Sequence, residues 1–134
     1  MKSELSHLVF GIDAANLQFY KDLLTHLGWT VFFDGHGMIG AAGKGHCSLW
    51  FGPRQKDQVN DYDGAGLNHL AIGVESIGDV DATVDYLAKR GAPALFETPR
   101  HRPEFSRSEQ DTYYQVMFES PDRILFEVVY TGPK

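Results

Sequence analysis

Leu5-Ser6-His7-Leu8-Val9-Phe10-Gly11-Ile12 returns 62 residues later as Leu67-Asn68-His69-Leu70-Ala71-Ile72-Gly73-Val74, with Leu, His, Leu and Gly in register. Read with period two, both stretches are strands. One face carries Leu8, Phe10 and Ile12, or Leu70, Ile72 and Val74, and is uniformly apolar. The other carries His7, Val9 and Gly11, or His69, Ala71 and Gly73. A histidine beside small residues suits a face that lines a space rather than one that packs on a helix.

A helical pattern follows each strand. Leu17, Tyr20, Leu24 and Leu27 share one helix face in the first copy, with Gly28 at the C-terminal cap position. Val80, Val84 and Leu87 form the stripe in the second, introduced by a Ser76…Asp79 capping signal and closed by Gly91. Three short strands are then expected in each copy: Trp29–Phe33, Met38–Ala42 and His46–Phe51, then Ala94–Glu97, Tyr113–Phe118 and Ile124–Tyr130. Each copy therefore reads βαβββ. Module one spans about 4–52, a connector about 53–66, and module two about 67–131 of a single 134-residue domain. Thr98–Asp111 reads as a long loop before the final hairpin.

Composition narrows the function classes. Apolar residues make up 43% and charged residues 22% of the chain, which is ordinary globular usage. A formal charge of −6 disfavours nucleic acid. No apolar run is long enough to span a bilayer, and the N-terminus lacks a signal-peptide profile. Cys47 is the only cysteine, so neither an internal disulfide nor a cysteine zinc site is expected. The expectation is a soluble, cytoplasmic protein without membrane or nucleic-acid partners. Cys47 itself reads as a small core residue.

His7, His69 and Glu127 carry the most chemistry. Each histidine holds the same place in its repeat, and Glu127 interrupts the apolar strand ILFEVVY. Two imidazoles and one carboxylate can bind a divalent metal and leave open positions for a substrate. The alternative is two half-buried structural histidines and a solvent-facing glutamate. Gly35–Gly40 matches a dinucleotide fingerprint by letters, but no helix follows it. His26 reads as an exposed helix residue and His36 as a turn residue, while His46 either begins a strand that points to the groove or is structural. Arg100, His101, Arg102 and Arg107 either screen an anionic substrate or belong to a solvated loop.

The paired βαβββ modules, the His in the first strand of each and the Glu in the last strand resemble the vicinal oxygen chelate superfamily. Its members include glyoxalase I, extradiol dioxygenases, fosfomycin-resistance thiol transferases and bleomycin-resistance proteins. The resemblance covers nearly the whole chain. It implies an α+β fold in which two modules form an open mixed β-sheet half-barrel around a metal or ligand groove. It implies one divalent ion (Zn, Fe, Mn or Ni) held by His7, His69 and Glu127, and a homodimer in which His7 serves its own chain or its partner.

Departures from the family pattern narrow the chemistry. Trp50 stands where glyoxalase I carries a fourth, acidic ligand. Val9 and Met117 replace a threonine and a tyrosine of the fosfomycin-resistance enzymes, and the chain ends seven residues after Glu127. These departures count against fosfomycin as the substrate. The resemblance implies a metal-dependent small-molecule enzyme, a lyase, isomerase or dioxygenase, with Glu127 and Tyr113 catalytic. Trp50, Gln115 and Met117 would contact the substrate. Its alternative is a metal-free protein that sequesters a flat ligand against Trp29, Trp50 and the phenylalanines.

Ser120-Pro121-Asp122-Arg123 resembles the family's Asp-Pro-Asp-Gly turn, with Arg123 where glycine would tolerate a left-handed backbone. If the family's one-residue bulge is kept, Met117 faces Glu127, and Tyr113, Gln115 and Met117 share the groove face. A slip of one residue would reverse every one of these assignments.

Overall fold

The computed structural model describes all residues, Met1–Lys134, and divides into two units, Met1–Val59 and Asn60–Lys134. In the first unit the order is β1 (His7–Ile12), α1 (Leu17–His26), β2 (Thr30–Gly35), β3 (Met38–Ala42) and β4 (Ser48–Pro53). In the second it is β5 (Leu70–Val74), α2 (Ile77–Lys89), β6 (Leu95–His101), β7 (Asp111–Glu119) and β8 (Leu125–Pro133). Each unit has its own open, mixed, four-stranded sheet, ordered β1-β4-β3-β2 and β5-β8-β7-β6. The first and last strands of each module run parallel, and the other pairs are antiparallel. This is an α+β fold built from two βαβββ modules. No helix is long and apolar enough to cross a membrane.

In the first unit α1 buries Tyr20, Leu23 and Leu24. Tyr20 stacks on Phe51 at 4.3 Å between ring centroids, and Phe51 stacks on Phe10 at 4.9 Å. Ile12, Ile39 and Leu49 complete this core face. On the opposite face Trp50 lies against Gly40, where a Cβ would stand 2.8 Å from the indole ring. A glycine is therefore required there. Trp29 covers Gly43 in the same way.

In the second unit α2 buries Val80, Thr83 and Leu87 above Ile72, Val116, Phe118, Phe126 and Val128. Thr83 is buried beside the half-buried Val84 of the expected stripe; its hydroxyl donates to the Asp79 carbonyl at 2.8 Å, so its polarity is satisfied inside the helix. The helix ends follow the sequence signals. Ser76 Oγ accepts from the Asp79 backbone N–H at 3.1 Å, and Gly91 takes a left-handed φ of 70°.

Two expectations are corrected. Cys47 is half-buried rather than a core residue, because it stands just before the first residue of β4 and outside the paired part of the strand. The segment expected to be a loop from Thr98 begins as strand, with β6 running to His101 and a 3₁₀ turn at Pro103–Phe105. The pairing of β6 with β7 breaks between Leu95 and Arg100, where Phe96 and Glu97 adopt left-handed φ values of 56° and 60°. Thr98 bridges the gap: its hydroxyl donates to the Leu95 carbonyl and accepts the Met117 N–H. Neither Phe nor Glu signals that conformation in a sequence, so the strand reads as ended.

The Ser76 cap tests the local reading of α2. Ser76→Ala should lower stability by about 1 kcal/mol, and Ser76→Asp should restore most of it, as read by denaturant unfolding.

Candidate functional site

β7 and β8 form a hairpin in which Met117 pairs with Glu127, Gln115 with Val129 and Tyr113 with Thr131. That register puts Tyr113, Gln115, Met117 and Glu127 on the face away from α2, and Tyr114, Val116 and Phe118 on the helix side. The hairpin loop sets it. Ser120 Oγ accepts the N–H groups of Asp122 and Ile124, and Arg123 takes a left-handed φ of 57°.

Glu127 is only 2% exposed, so its carboxylate must find partners inside the protein. Tyr113 donates its phenol to Oε1 at 2.5 Å. Gln115 satisfies both its neighbours in one amide orientation, with Nε2 donating to Glu127 Oε1 at 2.7 Å and its oxygen accepting from Arg102 Nη1 at 3.3 Å. Both donors therefore bind one oxygen and leave Oε2 to His69, whose Nε2 stands 2.9 Å away. Burial, and then the bond to Glu127, push the Tyr113 phenol well above its ordinary value. It stays protonated and remains a donor.

The histidine tautomer is fixed by its neighbour. Asn68 Nδ2 donates to the Tyr62 backbone carbonyl at 3.1 Å, and a carbonyl only accepts. The other end of the amide, Oδ1, therefore faces His69 Nδ1 at 2.8 Å, which must carry a hydrogen. In a neutral imidazole Nε2 is then bare, and it points a lone pair at a carboxylate oxygen. A proton or a metal cation must lie between two such acceptors. Tyr62, which supplies the carbonyl, is itself held: its ring lies 4.7 Å from the Arg123 guanidinium, and its hydroxyl donates to Glu119.

These residues open onto a cavity of about 660 Å³, within the usual range for small-molecule sites. Phe96, Phe105, Met117 and Leu125 supply its apolar wall, and Arg102 is its one cationic residue. Of the residues expected at the site, His69, Tyr113, Gln115, Met117 and Glu127 line this cavity in the second unit. His7 and Trp50 belong to the first unit. No third His, Cys, Asp or Glu joins His69 and Glu127 in a metal-binding group. Trp50 pairs with Val9 as Glu127 pairs with Ala71, so the two positions are equivalent and module one carries an indole where module two carries the acid.

Asn68, Arg102, Phe96 and Phe105 are the residues that sequence reasoning missed or left undecided. A signal for Asn68 was present in the repeat: the residue before each histidine is polar, and Ser6 Oγ lies 3.2 Å from His7 Nδ1 just as Asn68 lies beside His69.

The profile of the Glyoxalase/Bleomycin resistance protein/Dioxygenase superfamily matches residues 8–128. The chain belongs to that superfamily. Among solved structures of similar fold, a candidate glyoxalase from Bacillus halodurans is 27% identical, with a TM-score of 0.77 and 94% of each chain covered. A glyoxylase/bleomycin resistance protein/dioxygenase domain from Frankia sp. EAN1pec is 21% identical, with a TM-score of 0.70 and 98% of this chain and 100% of that one covered. A glyoxalase/bleomycin resistance protein from Albidiferax ferrireducens T118 is 16% identical, with a TM-score of 0.72 and 96% and 99% covered. No curated protein matches the chain. Superfamily membership is thus joined to a cavity in which His69, Tyr113 and Gln115 converge on one carboxylate.

Two outcomes are expected from this geometry. Asn68→Leu should reduce the Nδ1–H tautomer of His69, read from imidazole ¹⁵N shifts, while Asn68→Asp should retain it; an unchanged spectrum in the leucine variant would remove the positioning role. On the helix side Tyr114 donates to Asp81 Oδ1 at 2.7 Å, and burial followed by that bond pushes its phenol up to about 12. The folded value exceeds the unfolded value of about 10, so this stabilisation is complete below about pH 10 and lost as pH rises through about 12. A tyrosinate absorbance titration should show that late step and should lose it in Tyr114→Phe.

Proposed function

We propose that the protein is a metal-dependent enzyme acting on a small molecule, with a divalent ion held by His69 and Glu127. The observation that carries this reading is His69 Nε2 facing Glu127 Oε2 at 2.9 Å, with Asn68 fixing the hydrogen on Nδ1 behind it, so that a proton or a cation lies between the two. An imidazole backed by an amide oxygen and a carboxylate backed by two donors is also the outer arrangement that metal ligands use. The donor set fits a divalent ion. His7 is proposed as the third ligand, supplied by this chain or by a second copy in a homodimer.

Such an ion supplies Lewis-acid stabilisation of negative charge developing on substrate oxygens. The chain's own residues do the rest. Tyr113 and Gln115 tie down Glu127 Oε1, so the carboxylate offers a single oxygen in a fixed direction. Tyr113 holds its proton there as a donor. Phe96, Phe105, Met117 and Leu125 exclude water from the substrate's apolar part, and Trp50 is proposed as a further apolar wall from module one.

A second reading has its own support. Phe96 is 51% and Phe105 55% exposed, and both line the cavity, an arrangement that suits stacking of a flat ligand without chemistry. Metal content separates the two. Protein purified without added metal should carry one divalent ion per chain by elemental analysis, and His69→Ala and Glu127→Gln should lose it while keeping native circular dichroism. Unchanged stoichiometry in His69→Ala would remove the site. A metal-free wild type that still binds flat ligands would establish the sequestering reading instead.

A further inference from the structure

Arg102 ends the strand-to-turn segment that the sequence left undecided, and its position is built rather than incidental. Its backbone N–H donates to the Tyr113 carbonyl at 2.7 Å, which ties the residue to β7. Its side chain is only 22% exposed. The guanidinium lies 4.7 Å from the Phe105 ring centroid, and Phe105 in turn meets Tyr113 edge-on at 5.5 Å. Glu104 takes Nε at 2.6 Å, and Gln115 takes Nη1 at 3.3 Å. The Nη2 edge carries no protein partner.

Electrostatics within the cavity favour one kind of visitor. Two carboxylates line it, and both are engaged: Glu127 by His69, Tyr113 and Gln115, and Asp63 by Arg123 Nη2 at 3.2 Å. Arg102 is the cavity's one cation, its plane is held by an aromatic ring, and one glutamine amide separates it from Glu127. A guanidinium fixed in this way keeps its Nη2 hydrogens free for a carboxylate.

We propose that this cavity recognises a small carboxylic acid with an aryl or alkyl body, its carboxylate on Arg102 and its body between Phe105, Phe96 and Leu125. The inference deepens the proposed function by naming the ligand class of the same cavity. It rests on that reading only for the cavity being a ligand site, and it requires no metal.

The test compares phenylacetate with phenylacetamide, which keeps the shape and removes the charge. Binding is measured by ligand-observed NMR up to about 10 mM, with and without prior chelation of metal. The wild type should favour the acid by roughly tenfold or more. Arg102→Gln should bring acid and amide within about twofold, and Arg102→Lys, which keeps the charge but not the fork, should restore part of the preference. Phe105→Ala should weaken both probes alike. Because Gln115 leans on Arg102, each variant is checked for an unchanged unfolding midpoint, and Glu104→Gln gives an independent reading. It removes the competing negative charge at Nε without touching the cavity floor, and it should tighten acid binding alone.

Equal binding of acid and amide by the wild type, or binding of neither, would overturn the proposal. So would a preference that survives in Arg102→Gln, or one that disappears on chelation, since the ion rather than Arg102 would then hold the anion. A protein that carries no metal yet keeps the acid preference would sink the metalloenzyme reading and leave this one standing.

Discussion

A carboxylate at 2% exposure is the constraint around which the second unit is arranged. Burying an ionised group without partners is far more costly than any single packing contact is favourable, so Glu127 dictates what its neighbours must be. Tyr113 and Gln115 meet that demand because they sit two residues apart on β7 and so share a face with Met117, the cross-strand partner of Glu127. A slip of one residue would put Val128 in the cavity and the acid against α2. The hairpin loop is therefore part of the site at one remove. Arg123 holds a left-handed backbone that costs on the order of 1 kcal/mol in a non-glycine residue. Its ion pairs to Asp61 and Asp63, and the Tyr62 ring beneath its guanidinium, offset that cost. The same contacts hold the Tyr62 carbonyl that orients Asn68, so one arginine supports the settings of both His69 and Glu127.

Duplication supplies two equal backbones with different chemistry. β1 and β4 pair as β5 and β8 do, and each module packs its helix on one sheet face. The difference lies in one cross-strand pair. In module one Trp50 opposes Gly40, and the indole fills the space that the glycine vacates. In module two Glu127 opposes Met117, and both residues line the cavity. Exchanging one large ring for one carboxylate changes the face from an apolar platform into a polar site, while the strand pairing is retained.

The parts legible in the sequence were those governed by local period or by symmetry. Alternation gave the faces of β1, β5 and β7, the Ser76 cap marked the start of α2, and the family turn anticipated both the hairpin register and the strained Arg123. What escaped was set by contacts distant in the chain or by backbone angles without a side-chain signature. β6 continues past Phe96 and Glu97 because Thr98 repairs the ladder, and nothing in those two side chains announces it. Asn68 matters through a carbonyl six residues earlier, and Arg102 through a glutamine on the next strand. The Tyr113 phenol, read from the sequence as a group facing substrate, is committed to Glu127. Only the geometry could distinguish those two uses of one hydroxyl.

An acidic chain with an anion-seeking cavity is no contradiction once distance is considered. The formal charge of −6 acts over the whole surface, and at physiological ionic strength its influence decays over about 8 Å. It opposes the approach of an anion and so bears on the rate of encounter. Affinity is decided within the cavity, where the acids are already paired and Arg102 is shielded by Phe105. At hydrogen-bond distance a fixed guanidinium outweighs dispersed surface carboxylates, because its hydrogen bonds are directional and the Coulomb interaction falls with distance. The same separation accounts for Glu104. It neutralises the outward edge of Arg102 at 51% exposure, and so leaves the inward edge as the one place where the local charge can be matched.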